Sequence, residues 1–375
     1  MTRPRTAARQ PSSAAATLEP AGVDPVARLM VDVPLAHLDR PFDYVVPAEL
    51  ADVVQPGSRV RVRFAGRLVD GYVLERIAAS DHGGRLARVE RAVGDEPVLT
   101  PVTARLFRAV ADRWAGSFVD VVRLGVPARH TRAESAPGVR ALVPAPPPNT
   151  GWSRYPAGGA FLDAVTYGRP ARAVWSALPG EDWPTRLAEG MQAAVASGRG
   201  ALVVVPDARD LARLESAARS ALGADGVASL SADLGPAERY RRWLAVRRGE
   251  VRAVVGTRAA AFAPVADLGL VAVWDDGDDL HVEPRAPYPN VRDVLVLRSS
   301  QESAALLVAG FARTAEAQQL LAGGWAHEIA AVRAVVRAAA PRVVVAGDDL
   351  ELERDPAAVA ARLPGLALRT ARSCL

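Results

Sequence analysis

Residues 266–281 read ADLGLVAVWDDGDDLH. An apolar run from Leu268 to Trp274 ends in four acids around one glycine: Asp275, Asp276, Asp278 and Asp279. Carboxylates are hard oxygen ligands for Mg²⁺, and the carboxyl end of a parallel strand is where α/β sheets place ligands. Asp275 and Asp276 are therefore candidates to hold a hydrated metal ion and orient a water, as in many ATPases. Such chemistry needs a partner, a G-x-x-x-x-G-K-[ST] loop between a strand and a helix. The only suitable place is ARAVWSALPGEDWPTRLAEGM, residues 171–191. Its loop has a single glycine, Gly180, so few backbone amides are free to turn toward a phosphate. Pro179 and Pro184 each remove an N–H donor. Glu181 and Asp182 put negative charge where a phosphate would lie. This loop is built against phosphate, and the four aspartates equally read as a solvated acidic turn.

A second chemistry lies upstream in RVRVRFAGR, residues 59–67. Strand alternation puts Arg59, Arg61 and Arg63 on one face and Val60, Val62 and Phe64 on the other. With no acid between them, the guanidiniums stand about 6.6–7 Å apart along the strand. That row can match phosphates along a nucleic-acid strand; it is also what an ordinary solvated face of a small barrel looks like. The five histidines, His37, His82, His130, His281 and His327, are scattered without metal-ligand spacing and read as surface residues. No G-x-S-x-G, H-E-x-x-H or G-x-G-x-x-G stretch occurs.

The elements that must position these residues follow from periodicity. Residues 26–78 alternate with period two: VARLMVDVPL, PFDYVVP, RVRVRF and LVDGYVLERI are extended segments separated by turns. They predict a small antiparallel barrel or sheet. From Thr100 the spacing becomes helical, with Leu106, Val110 and Trp114 on one stripe. Residues 133–159 are rich in Pro, Gly and Ala and read as a linker. Beyond them, strands (ALVVVP, VRAVVGT, LGLVAVWDD, PRVVVAGDD) alternate with helical stretches such as ARDLARLESAARSAL. That pattern predicts a parallel sheet covered on both faces.

The bulk numbers bound the rest. A chain of 375 residues, half of them hydrophobic, holds two or three domains. All 46 basic residues are arginine, so any mechanism that requires a lysine is excluded. The alanine and glycine excess points to a GC-rich, actinobacterial coding bias. A formal net charge of +4 tolerates a polyanionic partner without demonstrating one. Cys374 is the single cysteine, which rules out an intrachain disulfide or a multi-cysteine zinc site and fits a reducing cytoplasm. No apolar stretch approaches the roughly 20 residues of a membrane span, and the N-terminus lacks the apolar run of a secretory signal. Residues 1–25 read as a disordered basic tail, either solvated or touching nucleic acid.

Several of these stretches together resemble the PriA family of replication-restart helicases, in the degenerate form seen in actinobacteria. VDVPLAHLDRPFDYVVPAEL with VQPGSRVRVRFAGRLVDGYVL is similar to the family's N-terminal domain for DNA 3′ ends. ALVVVPDARDLARL, then SADLGPAERYRRWLAVRRGEVRAVVGTRAAAFAPVADLGLVAVWDDGDD, is similar to its first helicase lobe. The likeness runs from about Val26 to Leu321. It implies a pocket for the terminal nucleotide and its 3′-OH formed by Phe42, Asp43, Tyr44 and Gly57, with aromatics stacking on the base and the carboxylate accepting from the hydroxyl. A family lysine downstream falls at Ala87, beside Arg88.

The departures from the family are informative. Its P-loop corresponds to ALPGEDWPT and is lost; its D-E-E-H corresponds to Asp275, Asp276, Gly277 and Asp278. Its G-S-A-T-P motif corresponds roughly to AGFART (309–314). The winged helix is abbreviated within residues 130–160, and the zinc-binding cysteines are absent from the chain.

The resulting expectations are these. The fold is multidomain: a disordered tail (1–25), a small β-rich 3′-DNA-end-binding domain (26–130) and a linker or vestigial winged helix (131–159). An α/β, P-loop-NTPase-like (RecA-like) helicase lobe 1 follows (160–322), then the beginning of an incomplete lobe 2 (323–375) in a truncated chain. Phe42, Asp43, Tyr44, Gly57, Arg59, Arg61 and Arg63 bind DNA, while Asp275 and Asp276 are relics and Gly180 marks a degenerate P-loop. No cofactor is expected, although the family uses ATP, Mg and Zn. The partners are forked or single-stranded DNA with a 3′ end and other primosome or replication proteins, in the cytoplasm at the nucleoid and not at a membrane. The alternatives are a residual ATP-dependent 3′–5′ DNA helicase and a primosome scaffold without DNA contact.

Overall fold

The computed structural model describes residues 19–135, 143–147, 151–341, 343, 353 and 362–373. The first sheet comprises β1 (Val26–Val31), β2 (Phe42–Val45), β3 (Arg59–Phe64), β4 (Arg67–Ile77) and β5 (Val89–Ala92). Its order is β2-β1-β4-β3-β5, antiparallel throughout. Period-two alternation buries Ala27, Leu29, Val60, Val62, Val73 and Val89 in one core. Ala65 and Gly66 have φ of 47° and 80°, the left-handed pair of a tight two-residue hairpin, and they fix the β3–β4 register at Phe64↔Arg67. Part of the expected tail belongs to this sheet: Ala21 is buried and its N–H donates to the Val46 carbonyl, while Ala48 N–H donates to the Glu19 carbonyl. Residues 1–18 lie outside the described residues.

The helical stretch after Thr100 is two helices, α1 (Pro101–Arg113) and α2 (Phe118–Gly125). Thr100 and Thr103 cap α1 reciprocally, and Ser117 caps α2. Ala115 at φ 50° makes the break; Trp114, the C-cap of α1, packs against the same core as Leu106 and Val110, as the stripe predicts. A short helix, α3 (Thr131–Glu134), follows; residues 136–142 and 148–150 of the expected linker lie outside the described residues.

The second sheet has seven strands: β6 (Arg172–Ser176), β7 (Gly200–Val204), β8 (Val227–Leu230), β9 (Ala253–Gly256), β10 (Leu268–Trp274), β11 (Ala305–Gly310) and β12 (His327–Ala330). All pair in parallel, in the order β12-β6-β11-β10-β7-β9-β8. The helices are α4 (Gly158–Thr166), α5 (Trp183–Ala196), α6 (Ala208–Leu222), α7 (Pro236–Arg247), α8 (Val291–Glu302) and α9 (Ala315–Ala322). Leu202, Val204, Val271 and Val273 share a core with Leu244 of α7 and Leu295 of α8, while Leu270 meets Gly190 of α5 on the opposite face. Burial on both faces explains why these strands read as continuous apolar runs. One boundary differs from expectation: β12 pairs with β6 at the sheet's edge, so residues 327–330 complete this sheet rather than begin a second lobe. The described residues among 178–181 and 331–373 belong to a separate unit, which includes α10 (Arg333–Ala339) and α11 (Gly365–Ser373). Most of the expected strand at 341–349 lies outside the described residues.

One apolar core joins the two sheets. Met30 and Tyr72 of the first sheet, Leu106, Phe107, Val119 and Val122 of α1 and α2, and Phe262, Val294 and Leu295 of the α/β part are members of the same cluster. Phe107 and Phe262 stack edge-on at 5.9 Å over Gly125, where an added Cβ would fall 2.6 Å from Phe107 and 2.8 Å from Phe262. The Trp243 indole N–H donates to the Gly125 carbonyl at 3.1 Å.

Gly57 holds the turn before β3. Its N–H donates to the Val73 carbonyl, its own carbonyl accepts from Val98 and Leu99, and its φ is +91°. A Cβ there would fall 2.1 Å from the Leu99 oxygen, whereas Gly66, at φ +80°, has open space. Gly57→Ala is therefore expected to cost about 2 kcal/mol or more, the left-handed penalty plus displacement of the 97–99 backbone. Gly66→Ala should lose only the first part. Denaturant titration of both variants is the check; equal losses would contradict this packing.

Candidate nucleic-acid interface

Asp43 lies in β2 directly across from Arg28 of β1, and Arg28 in turn lies across from Glu75 of β4. Arg28 is the one charge in the apolar strand VARLMV, and it points away from the core that Ala27 and Leu29 enter. Its Nε donates to Asp43 Oδ1 at 3.0 Å and its Nη2 to Oδ2 at 3.3 Å, while Nη1 reaches Glu75 at 3.1 Å. Ser80, on the β4–β5 connection, donates its hydroxyl to Asp43 Oδ2 at 2.6 Å. These bonds, the one from Arg28 foremost, hold the Asp43 carboxyl below its ordinary value, so it is an anion throughout the neutral range.

Around this carboxylate opens a cleft of 550 Å³ lined by Arg28, Arg40, Phe42, Asp43, His82 and Arg85 among others. Arg40 and Arg85 are exposed and, among the described residues, make no ion pair. The Arg40 guanidinium lies 4.8 Å over the Phe42 ring, and Phe64 meets that ring edge-on at 5.0 Å. The cleft thus combines one acceptor carboxylate, one half-buried aromatic ring and unpaired guanidiniums. This set can accept from a sugar hydroxyl, stack on a base and neutralise phosphates.

The structure sorts the residues expected from sequence. Phe42 and Asp43 are in the cleft. Tyr44 contributes to its floor but is only 4% exposed; its hydroxyl donates to the Arg63 carbonyl at 3.2 Å, so its ring belongs to the core and is not a free stacking face. Gly57 does not line the cleft, and its observed role is the turn described above. The arginine row is not free. Arg59 and Arg61 both pair with Asp70, through Nε at 3.0 and 2.8 Å, and Arg63 pairs with Glu90 at 3.1 Å. The acids come from the neighbouring strands, where Asp70 stands in register opposite Arg61. Arg28, Arg40, Ser80, His82 and Arg85 surround the Asp43 carboxylate without any motif or periodicity that marks them in the sequence. At the place matched to the family lysine, Ala87 lines the cleft and its carbonyl accepts from Val45 N–H at 2.8 Å; the guanidinium lining the cleft is Arg85, not Arg88.

At the end of β10 the two candidate metal ligands part company. Asp275 is exposed at φ 54°, its carboxyl pushed up by partial burial and then by Asp278. Asp276 is 4% exposed, and its Oδ2 accepts from Arg292 Nη1 of α8 at 3.1 Å and from the Thr314 hydroxyl at 2.7 Å. Asp278 accepts from the Leu280 N–H. His281, expected at the surface, is fully buried, and its Nε2 donates to the Trp274 carbonyl at 2.9 Å. Trp274 stacks on Trp183, the first residue of α5, at 4.3 Å and 10°, and Phe311 meets it edge-on at 5.1 Å. Gly180 sits at φ +71° in the short segment before Trp183. This donor set does not fit a magnesium ion. A guanidinium already neutralises Asp276, and no group of three or more His, Cys, Asp or Glu among the described residues could hold a metal. Cys374 lies outside the described residues.

Comparison with known proteins finds likeness over both the first sheet and the α/β part. Residues 28–127 match the model of the 3′DNA-binding domain (3'BD) of PriA. The chain is 54% identical over 351 residues to the probable replication restart protein PriA of Mycobacterium tuberculosis, and 53% identical over 352 residues to that of Mycobacterium leprae. The alignments cover 92% of this chain and 53% and 54% of those relatives. Over most of its length the chain is similar to these replication restart proteins. The replication restart protein PriA of Bacillus subtilis is 26% identical over 128 residues, 34% of this chain. The chain spans about half the length of the mycobacterial relatives. Every cleft residue lies within the matched span 28–127. No helix among the described residues is long and apolar enough to cross a membrane.

The Asp276–Arg292 pair makes a stability prediction. Arg292 is 7% exposed, so Arg292→Ala leaves a buried carboxylate with only Thr314. The expected loss is about 3–5 kcal/mol, the usual cost of breaking a buried pair. Asp276→Asn combined with Arg292→Ala should recover part of it. Unfolding of both variants in denaturant is the measurement, and a loss below about 1 kcal/mol for Arg292→Ala would show that the pair does not hold β10 to α8.

Proposed function

We propose that this chain is a DNA-binding replication-restart protein that captures the 3′ end of a nascent strand at a fork and does so without helicase activity. One observation carries the reading: an ionised carboxylate, Asp43, at the centre of an arginine-lined cleft in the domain matched as a 3′ DNA-binding domain. In this reading Asp43 accepts from the terminal 3′-OH, Phe42 supports the base, and Arg40 and Arg85 meet the adjacent phosphates. A 3′-phosphate would set two negative groups against each other. Oligonucleotides ending in 3′-OH should therefore bind more tightly than the same strands ending in 3′-phosphate, by about tenfold or more, with affinity falling steeply as salt rises. Asp43→Asn should abolish the preference. Equal binding of both ends by the unaltered protein would refute the pocket assignment. The paired row Arg59, Arg61 and Arg63 is secondary in this reading.

A second reading, a residual ATP-dependent 3′–5′ helicase, is favoured by the parallel sheet with acids at the carboxyl end of β10. The arginine on Asp276, the Trp183–Trp274 stack and the missing lysine support the non-catalytic reading instead. In that view the α/β part is a RecA-like lobe kept as a scaffold, with no cofactor, for the DNA-end domain and for other replication proteins, at the nucleoid. Radiolabelled ATP incubated with forked DNA is expected to show no turnover above background. Turnover that Asp275→Ala removes would establish the helicase reading.

A further inference from the structure

The Asp43 carboxylate is not bare. Arg28 approaches it from the neighbouring strand, anchored on its other side by Glu75, and this pairing belongs to the sheet itself. The Ser80 contact is of a different kind. Ser80 stands on the irregular connection between β4 and β5, whose residues 81–85 are exposed and include Gly83 and Gly84. The same connection supplies His82, Arg85, Leu86 and Ala87 to the rim of the cleft. Ser80 Oγ donates to Asp43 Oδ2 at 2.6 Å and accepts from its own segment, from the His82 N–H at 3.1 Å. An alcohol O–H donating at 2.6 Å to a carboxylate oxygen is the bond that a sugar hydroxyl would make.

We propose that Ser80 holds the hydroxyl position of the cleft in the free protein, and that a DNA 3′-OH displaces it from Asp43 Oδ2. This rests on the 3′-end reading above. It identifies Ser80 as the residue that sets how tightly an end is taken and which ends are taken. The exchange replaces one O–H···O⁻ bond with another, so Asp43 is never left unsatisfied. An end that lacks a hydroxyl gives nothing in return and leaves Ser80 in place. Displacement moves residues 79–85, because Ser80 and His82 are tied to each other, while Ala87 stays anchored to Val45.

The proposal separates from a positioning role for Ser80. If the hydroxyl competes with the DNA end, its removal leaves only water to displace from Asp43, and binding of a 3′-OH end tightens. If it orients the carboxylate for the end, its removal weakens binding. Fluorescence anisotropy would be measured with the full chain and oligonucleotides ending in 3′-OH or in 3′-H. Ser80→Ala is expected to bind the 3′-OH strand about three- to tenfold more tightly, the worth of one net hydrogen bond. The 3′-H strand should bind as before. Ser80→Thr, which keeps the hydroxyl, should behave as the unaltered protein. Unchanged or weaker 3′-OH binding by Ser80→Ala overturns the proposal. The underlying reading fails separately: if Asp43→Asn still prefers 3′-OH over 3′-H, Asp43 does not receive the hydroxyl, whatever Ser80 does.

Discussion

A guanidinium carries five donors in a fixed plane and never gives up its proton. In a chain whose 46 basic residues are all arginine, every cation must be used on those terms. The consequences recur through the fold. Arg28 bridges Asp43 and Glu75 across three strands; Arg59 and Arg61 share Asp70; Arg248 ties Glu96 to the backbone of Glu134. Buried Arg298 closes on the Ala261 and Ala263 carbonyls, fixing the segment that follows β9. A planar fork favours carboxylates and carbonyls it can meet with two bonds. Arginines near such acceptors therefore become structural. The cleft beside β2 differs because its only carboxylate is already engaged by Arg28, leaving Arg40 and Arg85 to solvent and to whatever anion arrives.

The shared core gives that cleft a fixed frame. α1 and α2 bury one face against the first sheet and another against α8 and the segment around Phe262. Gly125 permits the approach, since any side chain there would strike Phe107 and Phe262. The Arg248–Glu96 pair and the Tyr240 hydroxyl on Glu134 add polar contacts at the border of the same core. The two sheets meet through apolar packing that would be costly to open. A DNA end held near Asp43 would therefore lie in constant geometry to the seven-stranded sheet.

Much of this was legible in the sequence. Alternation gave the strands of the first sheet, and continuous apolar runs gave β7, β9 and β10 as members of a parallel sheet. PFDY marked the cleft. What was lost concerns partners brought by register. The two-residue Ala65–Gly66 turn fixes Phe64 opposite Arg67, and counting back from it places Arg61 opposite Asp70. The acids that neutralise the arginine row stand on the hairpin partner and on β5, so the alternation of β3 alone does not display them. Tyr44 follows the same rule: alternation with Asp43 puts its ring on the core side. Ser80, His82 and Arg85 left no periodic signal, because an irregular connection carries none. The attachment of β12 to β6 joins residues about 150 apart, and four residues of edge strand do not announce a distant neighbour.

Two aspartates frame the chemistry of this chain, and their surroundings decide between them. Asp276 is buried, neutralised by Arg292 from a packed helix and capped by Thr314, with Trp274 stacked against Trp183 beside it. To bind a cation it would have to release a buried guanidinium, which costs far more than a hydrated metal without a phosphate partner returns. Asp43 also touches a guanidinium and a hydroxyl, but at the edge of an open cleft, and its hydroxyl partner sits on an exposed connection. Its bond to Ser80 can be exchanged for an equivalent one at little cost. The acid that can trade partners is available to a ligand, whereas the acid locked between helices serves the fold. That difference in exchangeability, rather than the number of acids in a row, leaves the Asp43 carboxylate open to exchange and commits Asp276 to the fold.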